Sequence, residues 1–367
     1  QCYTNQLMSL IKNFFFSLLS LIIIFILLEL SIRVLTFSLT FNKVQSLVNY
    51  SKYSWPFSSE GWALRGYLNK TDFDNSESLY EFHPTRGWTG KKNLSKWYYG
   101  YFYSTNSFGF RGDSLPDPLL DNIMLLGNSQ MYGEEVDDRF VISEVLSNRI
   151  NNHNFLNFGV GGYGLDQMYV TFMEEFEKWN PKHVVFSVVA DDLIRMNFNY
   201  RDAAKPFFEI GNDKKNFDNF DLKFHPPDND VYQKHISSRW YGNQFKTLNI
   251  IDNIIDKYKL SSILTPLNSI RAKKLMSSVL DKNNNKANIY FILLTHISDD
   301  NKTPQYKLFR EICEEFSDKG LICNDTLSIR ANTKGLRQGM HHYYRLGNKL
   351  AADIIESSLK LDVKLSN

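Results

Sequence analysis

Two side chains in this sequence have the types and surroundings that acyl-transfer chemistry requires. Ser129 lies in the segment 122–136 (NIMLLGNSQMYGEEV), just past the apolar run Asn122–Leu126 and Gly127. A short apolar run bounded by a turn signal reads as a buried strand, and glycine permits a sharp bend at its end. A serine there stands at a strand's carboxyl end, where open α/β sheets place their chemistry. His342, in the segment 340–355 (MHHYYRLGNKLAADII), comes just before a helical pattern. A serine with a distant histidine is the smallest set for nucleophilic acyl transfer, the imidazole taking the hydroxyl proton. Segment 157–167 (NFGVGGYGLDQ) adds glycine-rich backbone at the end of the next strand. Taken singly, each feature also has a plain structural use: serine caps turns, the glycines shape a strand-to-helix turn, and Asp191-Asp192 suits a helix N-terminus.

Several segments follow one another at ordinary spacing: 106–112 (NSFGFRG), 126–130 (LGNSQ), 157–162 (NFGVGG), 184–195 (VVFSVVADDLIR), and His342 five residues before Gly347. As a set, covering about Tyr80 to Leu361, they resemble the SGNH/GDSL hydrolases, in the branch with one N-terminal membrane anchor. The resemblance implies Ser129 as nucleophile and His342 as general base, with an oxyanion hole from Ser129, Gly162 and the position of Asp191. It also implies an acylated carbohydrate or glycolipid of the cell envelope as substrate. The catalytic domain is then expected outside the inner (cytoplasmic) membrane, periplasmic or otherwise extracytoplasmic.

The chain departs from that pattern at three places. Asn128 stands where the family has the aspartate of Gly-Asp-Ser. Asp191 replaces an asparagine that donates to the oxyanion, and an ionised carboxylate has no proton to donate. Met340 and Gly339 occupy the places of the acid that orients the imidazole. Losing one oxyanion donor costs about 10²–10³ in turnover, and losing the acid of a triad roughly 10⁴. A Ser129–His342 dyad with backbone donors still exceeds the water reaction by about 10³. Three compensations are open: Asp191 held protonated by burial, Asp325 reaching His342 from the end of the last strand, or Gln338 or a backbone carbonyl fixing the tautomer. The expected function is ester hydrolysis. The alternatives are O-acetyl transfer on the same residues, or a weakened or inactive binding or assembly protein that kept the fold.

These residues must be positioned by an alternating series: strand 122–126, helix 138–151, strand 154–158, helix 165–178, strand 183–189, strand 287–294, helix 304–318, strand 320–324 and helix 345–360. Such alternation predicts a parallel sheet with helices on both faces. The expected fold is thus a three-layer α/β/α sandwich with a five-stranded parallel sheet, flavodoxin-like as in SGNH hydrolases, preceded by one transmembrane helix. We divide the chain into an N-terminal tail (1–12), an anchor (13–35), a stalk and lead-in (36–120) and the α/β/α domain (121–365). A helical insertion at about 196–286 is expected to shape a lid.

The apolar run Phe14–Leu35 is long enough as a helix to cross about 30 Å of hydrocarbon. No small-residue cleavage pattern follows it, so an uncleaved anchor is expected, with translation starting at Met8. Glu29 and Arg33, four apart, share a helix face and are placed to pair or to reach headgroups. Lys12 on one side and Arg33, Lys43 and Lys52 on the other leave orientation to the resemblance. The 367 residues carry a net charge of +2 without a basic stripe, so nucleic acid is not an expected partner. Aromatic residues make up 15% of the chain and cluster at 98–110 and 198–240, where they serve as core or as the lining of a sugar groove. Of the three cysteines, Cys313 and Cys323 fall on a helix and the next strand. They are within reach of a bridge in an oxidising compartment, with two buried free thiols the expected state. No Cys/His grouping has zinc spacing and no glycine-rich loop carries a phosphate-binding lysine, so no cofactor is expected.

Overall fold

The computed structural model describes residues 2–41, 78–98, 100–199, 203–211, 221–228, 247, 266–294, 302–327, 342–343 and 345–359. The chain forms two compact units, Gln1–Gly66 with Asp230–Ser262, and Tyr67–Asn229 with Ile263–Asn367. In the first, a helix runs Cys2–Phe41, and its stretch Met8–Val34 is long and apolar enough to cross a membrane. Most apolar side chains along it are exposed rather than packed, Phe14 and Leu21 among them, whereas Ile32 is buried. Arg33 Nε donates to Glu29 Oε1 at 2.7 Å, so the two charges that interrupt the run pair with each other.

The second unit is built on a five-stranded parallel sheet of Asp121–Gly127, His153–Gly159, His183–Val188, Asn288–Leu293 and Leu321–Asp325. In chain order the strands lie 2-1-3-4-5, so the direction of winding reverses beside the first strand. The strands are apolar on both faces because each face is covered by helices. Ile123 and Leu125 join the core beneath helices Ile142–Ser147 and Arg345–Leu359. Met124 and Leu126 face the opposite way, into the core shared with helices Leu165–Trp179, Pro266–Asn283 and Pro304–Phe316. The helices carry local stop and start signals: Asn180, left-handed at φ 42° and followed by Pro181, ends one. Thr303 caps another, accepting from Tyr306 N at 3.2 Å with Pro304 in its first turn.

Three expectations need correction. The helix expected at 138–151 is a 3₁₀ turn, Asp138–Phe140, and a separate helix, Ile142–Ser147. The extended Val141 divides them, its buried side chain packed under Gly133. In the segment expected to be a helical insertion, Phe207–Ile210 and Leu222–His225 form an antiparallel pair. The regular architecture resumes at Pro266, because Ala272, Leu275, Met276 and Val279 make a helical stripe buried against the sheet. Cys313 and Cys323 are joined by a disulfide rather than free, since the helix lies over the strand with the two Cα atoms 5.9 Å apart. Ahead of the sheet, the lead-in forms two antiparallel pairs, Tyr80–His83 with Gly87–Gly90 and Ser95–Tyr98 with Tyr101–Ser104.

The bridge closes a short loop, and the loop-entropy relation assigns it about 2–3 kcal/mol. Cys313→Ser should lower the unfolding free energy of the full chain by about that amount. Thiol alkylation followed by mass spectrometry should find both cysteines of the native protein blocked until reductant is added.

Candidate active site

The first strand ends at Gly127, where an added Cβ would lie 2.4 Å from Ser187 Oγ and 2.5 Å from Met131 Cβ. Only glycine lets the chain turn this close to the third strand. Asn128 then caps a single helical turn, Ser129–Tyr132, its Oδ1 accepting from Gln130 N at 2.8 Å. Gly133, left-handed at φ 80°, closes the turn. Ser129 thus stands at the start of a helical turn beside the point where the sheet's winding reverses, the crevice where open α/β folds bind ligands.

His342 meets it from 213 residues away, with Nε2 2.9 Å from Ser129 Oγ. The residues next to each hold the pair in place, since Tyr343 N donates to Gln130 Oε1 at 2.8 Å. The Tyr343 hydroxyl bonds Thr326 Oγ1 at 3.0 Å, at the end of the last strand. Two carboxylates from the loop after the serine flank the ring: Glu134 Oε2 is 3.4 Å from Nε2, and Glu135 Oε2 is 3.4 Å from Nδ1. Burial works against the imidazolium, but Glu135 and Glu134 outweigh it and raise the pKa of His342 above its ordinary 6.5.

The second strand's loop leaves the sheet alongside the first. Gly159 pairs with Gly127 in register, and Val160 N donates to Gly127 O at 3.1 Å. Gly162 holds φ 82°, a conformation that favours glycine. Among the described residues neither Gly162 N nor Ser129 N is taken by a hydrogen bond.

The third block is arranged differently from expectation. Asp191 is exposed and its carboxylate makes no hydrogen bond among the described residues, so the burial on which that compensation relied is not there. Asp192 is the buried acid. It accepts from Asn128 Nδ2 at 2.5 Å, Val189 N at 2.8 Å and Arg195 at 2.5 Å. Burial pushes its carboxyl up to about 7 against the pull of Arg195 and these donors. The amide at position 128 therefore has a use: an aspartate there would set two carboxylates against each other.

Asp325 is engaged elsewhere, accepting from the Tyr306 hydroxyl at 3.2 Å and from Leu327 N at 2.9 Å. No bond or ion pair joins it to His342 among the described residues. Gln338, Gly339 and Met340 lie outside the described residues. Sequence reasoning passed over Glu134 and Glu135, although they stand five and six residues past the serine. Their reach to the histidine depends on the loop's conformation, and the only local sign was an acidic pair directly after a glycine. Among the described residues no group of three His, Cys, Asp or Glu is arranged to hold a metal ion.

No protein-family model and no curated protein matches the sequence. Solved structures similar to it include TesA, at 10% identity and a TM-score of 0.40, covering 65% of this chain and 98% of TesA. A member of the lipolytic G-D-S-L family from Veillonella parvula aligns at 14% identity and a TM-score of 0.37, covering 66% of this chain and 99% of its own. A catalytic mutant of Axe2, an acetylxylan esterase from Geobacillus stearothermophilus, aligns at 10% identity and a TM-score of 0.40, covering 67% and 97%. At these identities and TM-scores the likeness says nothing of chemistry, which this chain's own side chains must carry. The five-stranded parallel sheet with helices on both faces is the fold that the SGNH/GDSL resemblance implies, and it brings Ser129 and His342 into contact.

Asp192 titrates near 7 in the fold and near 3.9 in an unfolded chain. The fold therefore binds its proton more tightly. The stability it contributes is full below about pH 4 and is lost as pH rises through 7, on the order of a few kcal/mol. Asp192→Asn should flatten that fall, read from denaturant midpoints at pH 5 and pH 8.

Proposed function

We propose that this protein is a serine ester hydrolase acting on acyl groups of a cell-envelope carbohydrate or glycolipid. The observation that carries this reading is the 2.9 Å contact between Ser129 Oγ and His342 Nε2 at the carboxyl edge of a parallel sheet. In the neutral tautomer with Nδ1 protonated, Nε2 accepts the serine proton as Oγ attacks the ester carbonyl. The tetrahedral oxyanion takes the free N–H groups of Ser129 and Gly162 as donors. Collapse expels the alcohol, which receives its proton from the imidazolium. Water then attacks the acyl-serine by the same route, releasing the acid and restoring the hydroxyl. Without a side-chain donor at position 191, the oxyanion has one contact fewer than the family pattern supplies.

Two features support an anchored, extracytoplasmic enzyme on the inner membrane. The Met8–Val34 stretch has the length of a membrane span, about 40 Å at about 1.5 Å per residue. The Cys313–Cys323 disulfide belongs to an oxidising compartment. The substrate class comes from the resemblance. Transfer of the acyl group to a second sugar hydroxyl uses the same acyl-serine, with an acceptor in place of water.

The test is reaction of the full chain, in detergent, with a fluorophosphonate probe. Wild type should be labelled on Ser129, and Ser129→Ala and His342→Ala should each lose labelling. Folded wild type that stays unlabelled would overturn the hydrolase and favour a binding protein that kept the fold.

A further inference from the structure

We infer that Glu135 is the acid that positions His342, supplied from the nucleophile's own loop instead of from the segment before the histidine. The inference rests on the Ser129–His342 reading and deepens it.

A serine–histidine pair needs an acceptor on Nδ1. It fixes the proton there, leaves Nε2 free to accept from the serine, and stabilises the imidazolium that follows. In this chain Nδ1 is buried and has no hydrogen-bond partner at full geometry, and the carboxylate facing it is Glu135 Oε2, at 3.4 Å. That separation is long for a hydrogen bond in a resting site, and such contacts shorten when substrate closes it. Glu134 cannot serve in its place. It lies on the Nε2 side, where the serine bonds, and its other oxygen accepts from the Tyr80 hydroxyl at 2.7 Å.

The backbone gives an independent sign. Glu135 is held at φ 64°, a left-handed conformation that costs a non-glycine residue about 1–2 kcal/mol. That cost is met by a dense set of contacts. Glu135 N donates to the Tyr103 hydroxyl at 2.9 Å. On either side of the acids, Gly133 O and Val136 O accept from the Arg111 guanidinium at 3.0 and 2.9 Å, and Arg111 Nε bonds Asp138 at 2.6 Å. The guanidinium lies 3.8 Å from the centre of the Tyr103 ring. Arg111, the arginine of the 106–112 segment, thus builds the loop that points a glutamate at the histidine. A glycine at 135 would form this turn without strain, but with no carboxylate.

Two measurements on the full chain in detergent test this, across pH 5–9, for wild type, Glu135→Gln and Glu135→Gly. The first is the rate of fluorophosphonate inactivation. Both variants should be slower by about 10²- to 10⁴-fold, with the inflection moved to lower pH. Added formate should restore part of the Glu135→Gly rate, which a purely structural role would not allow. The second needs no activity: the rate of His342 carbethoxylation by diethyl pyrocarbonate, followed by peptide mass spectrometry. Its inflection should lie above 6.5 in wild type and fall in Glu135→Gln. Variant rates within about threefold of wild type, or an unchanged His342 inflection, would overturn the assignment. Wild type inert to fluorophosphonate with a shifted His342 inflection would sink the hydrolase and leave the Glu135–His342 pairing standing.

Discussion

The buried carboxylate of Asp192 is the interaction on which the arrangement around the serine depends. It has no exposed surface, and an acid so placed must be supplied with donors. Asn128 supplies one from the end of the first strand, and Val189 and Arg195 supply the others from the segment after the third. Asn128 reaches over from the first strand and, with its other side-chain atom, caps the turn that carries Ser129. Arg195 continues the chain by donating to Tyr163 O in the glycine-rich loop at 2.8 Å. Lys205, fully buried, donates to Arg195 O and pairs with Asp166 at the start of the following helix. One connected set of buried polar groups therefore ties together the loops after the first, second and third strands. A half-satisfied network of this kind would cost more than an apolar core, so its members must be kept together or replaced together. The amide at 128 and the acid at 192 make sense only as a pair.

A second buried charge organises the other side of the site. The Arg111 side chain has no solvent exposure, and its donors go to Asp138 and to the carbonyls of Phe102, Gly133 and Val136. The antiparallel lead-in is thereby tied to the loop between Ser129 and the next helix. The described part of the lead-in packs on the sheet-bearing unit and fixes the loop from which two carboxylates approach His342. The aromatic residues at 98–110 follow the same logic. Tyr103 is buried, stacks on Tyr132 and takes the N–H of Glu135.

Much of the architecture was legible in the order of residues because it rests on local rules. The strand at 121–127 is a run of apolar residues with helices on both sides of it, so its composition alone marked it. Helices 165–179 and 304–316 carried their own caps and apolar stripes. The place of Ser129 was legible for the same reason, as a serine two residues past a glycine at a strand's end. Helix 266–283 was expected only as part of a helical insertion and not as a layer of the sheet, because its stripe is interrupted by lysines and serines and only contact with the sheet picks out its buried face. The break at Val141 was missed because it comes from packing under Gly133, a residue outside the helical pattern.

The sequence by itself determined the sheet, the serine at its edge and the distant histidine, because strand period, turn chemistry and helix signals act over a few residues. Only the tertiary structure decided which acids stand beside them. Asp191 and Asp192 are neighbours with the same side chain, yet one is exposed and the other sealed from water, and burial reverses what a carboxyl group can do. Asp325 ends a strand on the expected rim but spends its oxygens on Tyr306 and Leu327. Glu135 reaches the imidazole because a left-handed turn and a buried arginine aim it there, and the direction of a side chain across space is not written in its distance along the chain.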